Sequence, residues 1–164
     1  MFRLTETEQG GDSPWDQTRY LNIWTGDLRI LEPQFNNLEE VVFLALATPP
    51  IPHPNWPNEV VEPFIQFNQG VLVHYLNVGG NNPYQYSYPY SAYNGLVNKG
   101  KTLVHEIGHY LGLRHIWGDG DCSMHDYIWD TPNATNHAQF TCNPNANTCI
   151  DSINGMDNFI SNRS

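Results

Sequence analysis

Basic residues are scarce in this chain: 7 Lys+Arg stand against 17 Asp+Glu in 164 residues, a formal net charge of -10. Nucleic acids and anionic membrane surfaces are held by clusters of Lys and Arg, so this deficit argues against both as partners. Long apolar runs are missing too. Nothing approaches the roughly 18 residues a membrane-crossing helix needs, so no span is predicted. The opening residues, MFRLTETE, lack a basic stretch followed by an apolar one and do not read as a secretory leader. Cysteine is sparse and unevenly placed, with Cys122, Cys142 and Cys149 all in the last third. Spacings of 20 and 7 match no zinc ribbon, and clustering in loop-rich sequence favours a disulfide formed in an oxidising compartment. We therefore expect a secreted or extracytoplasmic domain excised from a longer protein, with its leader outside this chain.

What is present suffices for one globular domain. Hydrophobic residues make up 40% and aromatics 13%, enough to bury a core at this length. Residues 19–24 are rich in β-formers and end at Thr25, Gly26 and Asp27, which reads as a strand. Residues 41–47 form a short apolar run closed by Pro49, Pro50, Pro52, Pro54 and Pro57. A buried strand and a helix beginning near Leu38 both fit it, and the proline stretch reads as an extended connector. Residues 70–78 read as a buried strand ahead of a Gly/Asn/Pro turn, with His74 packed within it and not a ligand. Tyr84, Tyr86, Tyr88 and Tyr90 alternate, which predicts four rings on one face of an extended segment, either covering the core or forming a cleft wall that contacts substrate side chains.

The most informative stretch is His105-Glu106-Ile107-Gly108-His109-Tyr110-Leu111-Gly112-Leu113-Arg114-His115. His105 and His109 lie four apart, so a helix projects both from one face, where two imidazoles can grip one zinc ion. Glu106 adjoins the first ligand and can act as a general base on a water without itself binding metal. Gly112 falls where the helix should stop, since glycine accepts the left-handed conformation common just past a helix end. The turn then lets His115 return as third ligand. Three ligands leave one position open, the mark of a catalytic zinc site rather than a structural one. Beyond Gly118 the chain is rich in Asn and Asp with few apolar runs, so it is expected to lie as irregular loops stapled by sulfur or metal. Asp126 and Asp130 flank a short apolar stretch before Thr131-Pro132, and such oxygen donors suit either calcium or a hydrogen-bonded turn. Asn133-Ala134-Thr135 and Asn162-Arg163-Ser164 are glycosylation sequons, meaningful only in a eukaryotic secretory route.

The pattern HExxHxxGxxH resembles that of the metzincin clan of zinc peptidases, and its flanks resemble the pappalysin family. Those flanks are Gly100-Lys101-Thr102-Leu103-Val104, Ile116-Trp117-Gly118 and Asp130-Thr131-Pro132, with Thr18-Arg19-Tyr20-Leu21-Asn22-Ile23-Trp24 similar to the family's opening strand. The resemblance implies a pairing of Cys122 with Cys149, leaving Cys142 to a partner beyond Ser164. It also implies a calcium site from Asp126, the Ile128 carbonyl and Thr131. A methionine-containing turn is expected beneath the zinc, often with a tyrosine two residues on that can hydrogen-bond the reacting carbonyl. Here Ile160 takes the methionine's place in one register and Met156 in the other, with Asn162 or Asn158 in place of the tyrosine. Isoleucine fills an apolar floor nearly as well, whereas loss of the phenol removes a donor that an asparagine amide could replace.

Together these readings predict an α+β, zincin-like (metzincin) fold in a single catalytic domain. A twisted, mixed and mostly parallel sheet of four or five strands packs on two helices, the second being the zinc helix. Residues 1–112 form the N-terminal subdomain and residues 113–164 an irregular C-terminal one, with the cleft between them. The expected activity is zinc-dependent endoproteolysis of polypeptides, with Zn2+ on His105, His109 and His115, Glu106 as base and Ca2+ as a structural ion. The alternative is a weak or inactive metzincin-like domain serving as a protein-binding module of a larger extracellular protein.

Overall fold

The computed structural model describes residues 2–34, 37–51, 53, 54, 56, 58–62, 65–97, 99–135, 148 and 149. Two short 3-10 turns (Phe2–Thr5 and Thr7–Gln9) precede strands β1 (Ile23–Gly26), β2 (Arg29–Gln34), β3 (Asn37–Val42) and β4 (Ala45–Ala47). A single helical turn α1 (Asn58–Val61), strand β5 (Val71–His74), two further 3-10 turns and helix α2 (Lys101–Tyr110) follow. Val71, Leu72, Val73 and His74 of β5 are all buried, as an apolar strand covered on both faces should be. Burying each such aliphatic side chain is worth about 1.5–3 kcal/mol. This strand therefore anchors the sheet, whose order is β1-β5-β4.

β1 runs parallel to β5 and β4 runs antiparallel to it, while β2 and β3 form a separate antiparallel hairpin. The sheet is thus mixed and three-stranded, and the other two strands stand apart as a hairpin. Among the described residues the strands divide as three and two, one pair of the three being parallel, in place of the mostly parallel sheet of four or five expected. The 41–47 run splits between the end of β3 and β4, so strand wins over helix on both sides of the break at Phe43 and Leu44. The first strand begins at Ile23, four residues later than its β-forming composition suggests, and β5 stops at His74 where a 3-10 turn (Tyr75–Asn77) takes over. Gly70, just ahead of β5, has φ +155°, and a Cβ there would lie 2.5 Å from both the Asn22 carbonyl and the Trp24 ring. Only glycine lets β1 and β5 come that close.

The tyrosine series departs from its expected single face. Tyr86 is buried, whereas Tyr84 and Tyr88 are exposed, and Tyr90 opens a 3-10 turn (Tyr90–Tyr93). Tyr86 joins Leu76 and Val97 in a core against Val42, Leu44, Tyr90 and Tyr93. Its hydroxyl donates to Asn77 Oδ1 at 3.0 Å, and Asn77, fully buried, donates from Nδ2 to the Leu44 carbonyl at 2.8 Å. The buried amide is thereby paired at both ends and ties the tyrosine segment to the residue preceding β4. His74 is packed, as the sequence suggests: Nδ1 accepts from the Leu76 N–H, and the ring lies against Tyr75 and Tyr86.

Two outcomes follow from this core. Tyr86→Phe strands Asn77 Oδ1 and should lower unfolding stability by about 1–3 kcal/mol in urea titrations; a change within a few tenths would contradict the pairing. His74 is held below its ordinary 6.5, first by burial and then by Arg29, against the pull of Asp27. The folded chain keeps this ring neutral where the unfolded chain protonates it, so its share of stability is lost as pH falls below about 6.5. Wild type should lose more stability than His74→Gln between pH 7.5 and 5.5, and parallel pH profiles would refute this.

Candidate metal centre

Helix α2 begins after Gly100 and packs its inner side on β4 and β5. At its far end the Gly112 N–H bonds the His109 carbonyl and the Leu113 N–H bonds the Gly108 carbonyl, both at 2.9 Å. That pair of bonds is the Schellman arrangement, with Gly112 at φ +102°. Side chains are excluded here twice over, because a Cβ on Gly112 would sit 2.8 Å from His53 Nε2. The Gly112 carbonyl accepts from Trp56 Nε1 at 3.0 Å, fastening the helix end to the segment between β4 and α1. The chain reverses at this point and carries Leu113, Arg114 and His115 back toward the helix.

His109 Nε2 lies 3.0 Å from His105 Nε2 and 3.1 Å from His115 Nε2. Among the described residues these three form the cluster able to hold a metal, with ligand atoms all within 4.8 Å of one another. The opposite nitrogens explain which proton sits where. His109 Nδ1–H donates to the Leu113 carbonyl at 2.8 Å, and His115 Nδ1–H donates to Asp119 Oδ1 at 2.6 Å. A neutral ring protonated at Nδ1 presents a bare lone pair at Nε2. Lone pairs then face each other across 3.1 Å, which is repulsive unless a cation lies between them. Tetrahedral zinc with Zn–N bonds of about 2.0–2.1 Å separates its nitrogens by about 3.3 Å, close to what is found. The donor set therefore fits zinc.

Electrostatics agree. Burial, with His109 and His115 nearby, pushes His105 down to about 4, and burial also holds His109 below its ordinary value. Both rings are neutral at pH 7 and free to ligate. Burial pushes Glu106 up to about 7, against His115 and a backbone hydrogen bond from Ala47 of β4. Asp119 is held low, first by the His115 hydrogen bond. The His115 ring stacks on Trp117 at 4.2 Å, and Trp56 meets His109 edge-on.

Away from the histidines, Asp126 is buried, its Oδ1 accepts from the Ile128 N–H at 2.9 Å, and the Ile128 carbonyl accepts from the Thr131 N–H. The residues suggested for calcium are therefore gathered into a hydrogen-bonded turn. Cys122 and Cys149 are joined in a disulfide, Cα to Cα 5.6 Å. Cys142, Met156, Asn158, Ile160 and Asn162 lie outside the described residues. Sequence reasoning missed Asp119, Arg114, Trp56 and Ala47 as parts of the centre. An acid four residues after His115 was a usable signal for Asp119, but nothing local marks Trp56 or Ala47, which lie 49 and 58 residues before His105.

Residues 77–163, just over half of the chain, match the model of a peptidase family described as pregnancy-associated plasma protein-A. An extracellular metalloprotease of Arthroderma benhamiae is 41% identical over 66 residues, 37% of this chain and 24% of the relative. One from Arthroderma otae is 50% identical over 36 residues, 21% of this chain and 13% of the relative. Among solved structures, mature mirolysin of Tannerella forsythia in complex with a cleaved peptide has a TM-score of 0.60 at 26% identity, covering 99% of this chain and 48% of that one. Mirolysin in complex with compound 9 gives 0.66 at 28% identity, covering 99% and 54%. The chain thus spans about a quarter of the length of the first curated relatives and about half of mirolysin.

The centre makes a direct prediction. Purified protein should retain one equivalent of zinc through dialysis, and His109→Ala, which removes the shared nitrogen, should retain none by elemental analysis. Stoichiometric zinc in that variant would refute the assignment.

Proposed function

The chain belongs to the pregnancy-associated plasma protein-A (pappalysin) family of metallopeptidases, and from that membership we propose a secreted zinc endopeptidase acting on internal peptide bonds. The observation that carries the reading is the convergence of three histidines with Glu106, a half-buried carboxylate, one residue from the first of them; burial raises its pKa to about 7. A base poised near neutral pH can both take and return a proton. Zinc, when bound by His105, His109 and His115, supplies Lewis acidity toward a carbonyl oxygen and toward water.

The chain's own groups do the rest. Glu106 accepts the proton of the attacking water and delivers it to the nitrogen of the departing amine. Its carboxylate is steadied by the hydrogen bond from Ala47, which ties the base to β4. β4 pairs only with β5 among the described residues, so its outer edge offers main-chain groups to an extended polypeptide. A chain laid along an edge passes through in both directions, which favours internal over terminal cleavage. The substrate cleft in this reading lies between residues 1–112 and 113–164. Calcium at Asp126, the Ile128 carbonyl and Thr131 belongs to the same proposal as a structural ion, since carboxylate and carbonyl oxygens are its preferred donors. Export accords with the Cys122–Cys149 disulfide and with the extracellular relatives.

Zinc-loaded protein should cut unfolded polypeptides, and Glu106→Ala should lower the rate by about 10²–10⁴-fold while keeping its zinc. Proteome-derived peptides profiled by mass spectrometry would read activity and site preference together. Intact substrates with the wild-type protein, fully metal-loaded, would sink the enzyme and leave a non-cutting binding module.

A further inference from the structure

Arg114 is one of 7 Lys+Arg in the chain, yet its side chain is only 4% exposed. Among the described residues its Nε and Nη1 have no hydrogen-bond partner, a costly way to use a guanidinium if it merely fills space. An apolar side chain of similar volume would avoid that cost. Two things Arg114 does have are beyond such a residue. Its guanidinium carbon lies 5.7 Å from the Trp56 ring and 5.6 Å from the Tyr127 ring, within cation–π range of both. Its Nη2 donates to the Gly118 carbonyl at 2.8 Å and faces Asp119 Oδ2 at 3.6 Å.

Asp119 is the link to the metal ligands. One carboxylate oxygen, Oδ1, accepts the His115 Nδ1–H at 2.6 Å, and the other faces the arginine. Its backbone has φ +61°, an uncommon conformation for a residue with a side chain, held in place by the bond to the neighbouring Gly118 carbonyl. His115 alone of the three histidines stands outside helix α2, so nothing regular in the backbone fixes its ring.

We propose that Asp119 and Arg114 are positioning residues for the third metal ligand, Arg114 acting through Asp119. Asp119 sets the tautomer and ring plane of His115. Arg114, gripped between Trp56 and Tyr127, holds the Gly118–Asp119 turn where that contact can be made. This rests on the reading of His105, His109 and His115 as a metal site and adds how the loosest ligand is aimed before metal arrives.

The test measures zinc dissociation constants by chelator competition, visible spectra of the cobalt(II)-substituted protein, and melting of the metal-free protein. Asp119→Ala should weaken zinc binding about 10–100-fold and shift the cobalt spectrum, with Asp119→Asn between it and wild type because its amide oxygen still accepts. Arg114→Lys, which keeps charge but not the planar stack, should weaken binding about tenfold alone and scarcely further in the Asp119→Ala background. Metal-free melting of Asp119→Asn, which tolerates a positive φ and keeps an accepting oxygen at a 43% exposed position, should stay near wild type. If Arg114→Lys does not fold, Tyr127→Ala takes its place with the same non-additive pattern expected. Binding within twofold of wild type in Asp119→Ala, or losses that add in the double variant, overturns the inference and leaves the metal centre standing. Wild-type protein that takes up neither zinc nor cobalt overturns both.

Discussion

The His109 Nε2 faces those of His105 and His115 across about 3 Å, and the surroundings make sense as answers to that crowding. Two of the rings carry their proton on the far side, where the Leu113 carbonyl and the Asp119 carboxylate receive it. Burial keeps His105 and His109 from neutralising the crowding by simple protonation, so only a metal cation relieves it. The Schellman turn at Gly112 is the steric condition for the arrangement. A continued helix would carry His115 away from the other two, and a side chain at Gly112 would strike His53.

The sheet contributes rigidity and the base. β5, buried along its whole length, is the floor on which α2 lies, and β4 reaches over to Glu106 through Ala47. Trp56 adds a second fastening at the helix end through the Gly112 carbonyl. Nearly all of the centre is supplied by residues 101–119, and these two long-range contacts set it against the rest of the domain. The core around Tyr86 and Asn77 packs against His74 at the other end of β5 and bears on stability, apart from the three converging histidines.

Much of this was legible in the sequence for a simple reason. His105, His109, Gly112 and His115 are separated by helical geometry and one turn, so local spacing dictates their convergence. The buried run Val71-Leu72-Val73 was equally plain, since continuous apolar strands are central ones. What spacing could not reveal was partner choice. The hairpin of β2 and β3 carries charged residues such as Arg29 and Glu40 and lacks a clean alternation, and β4 is only three residues long. The tyrosine period of two was real in sequence and misleading in space, because turns at Pro89 and Tyr90 break the extended path after Tyr86 has turned inward. Nothing in the sequence singles out Arg114; its burial beside Trp56 and Tyr127 shows only in the structure.

The compactness of the His105 to His115 interval in the chain has a consequence for how the molecule assembles. Closing so short a loop costs little chain entropy, and its reversal is written into the Gly112 turn rather than borrowed from distant strands. An ion can be captured by a nascent helix and its hook while the tail from Cys122 onward is still searching for its place. Metal uptake would then guide the late steps of folding as well as complete the finished site.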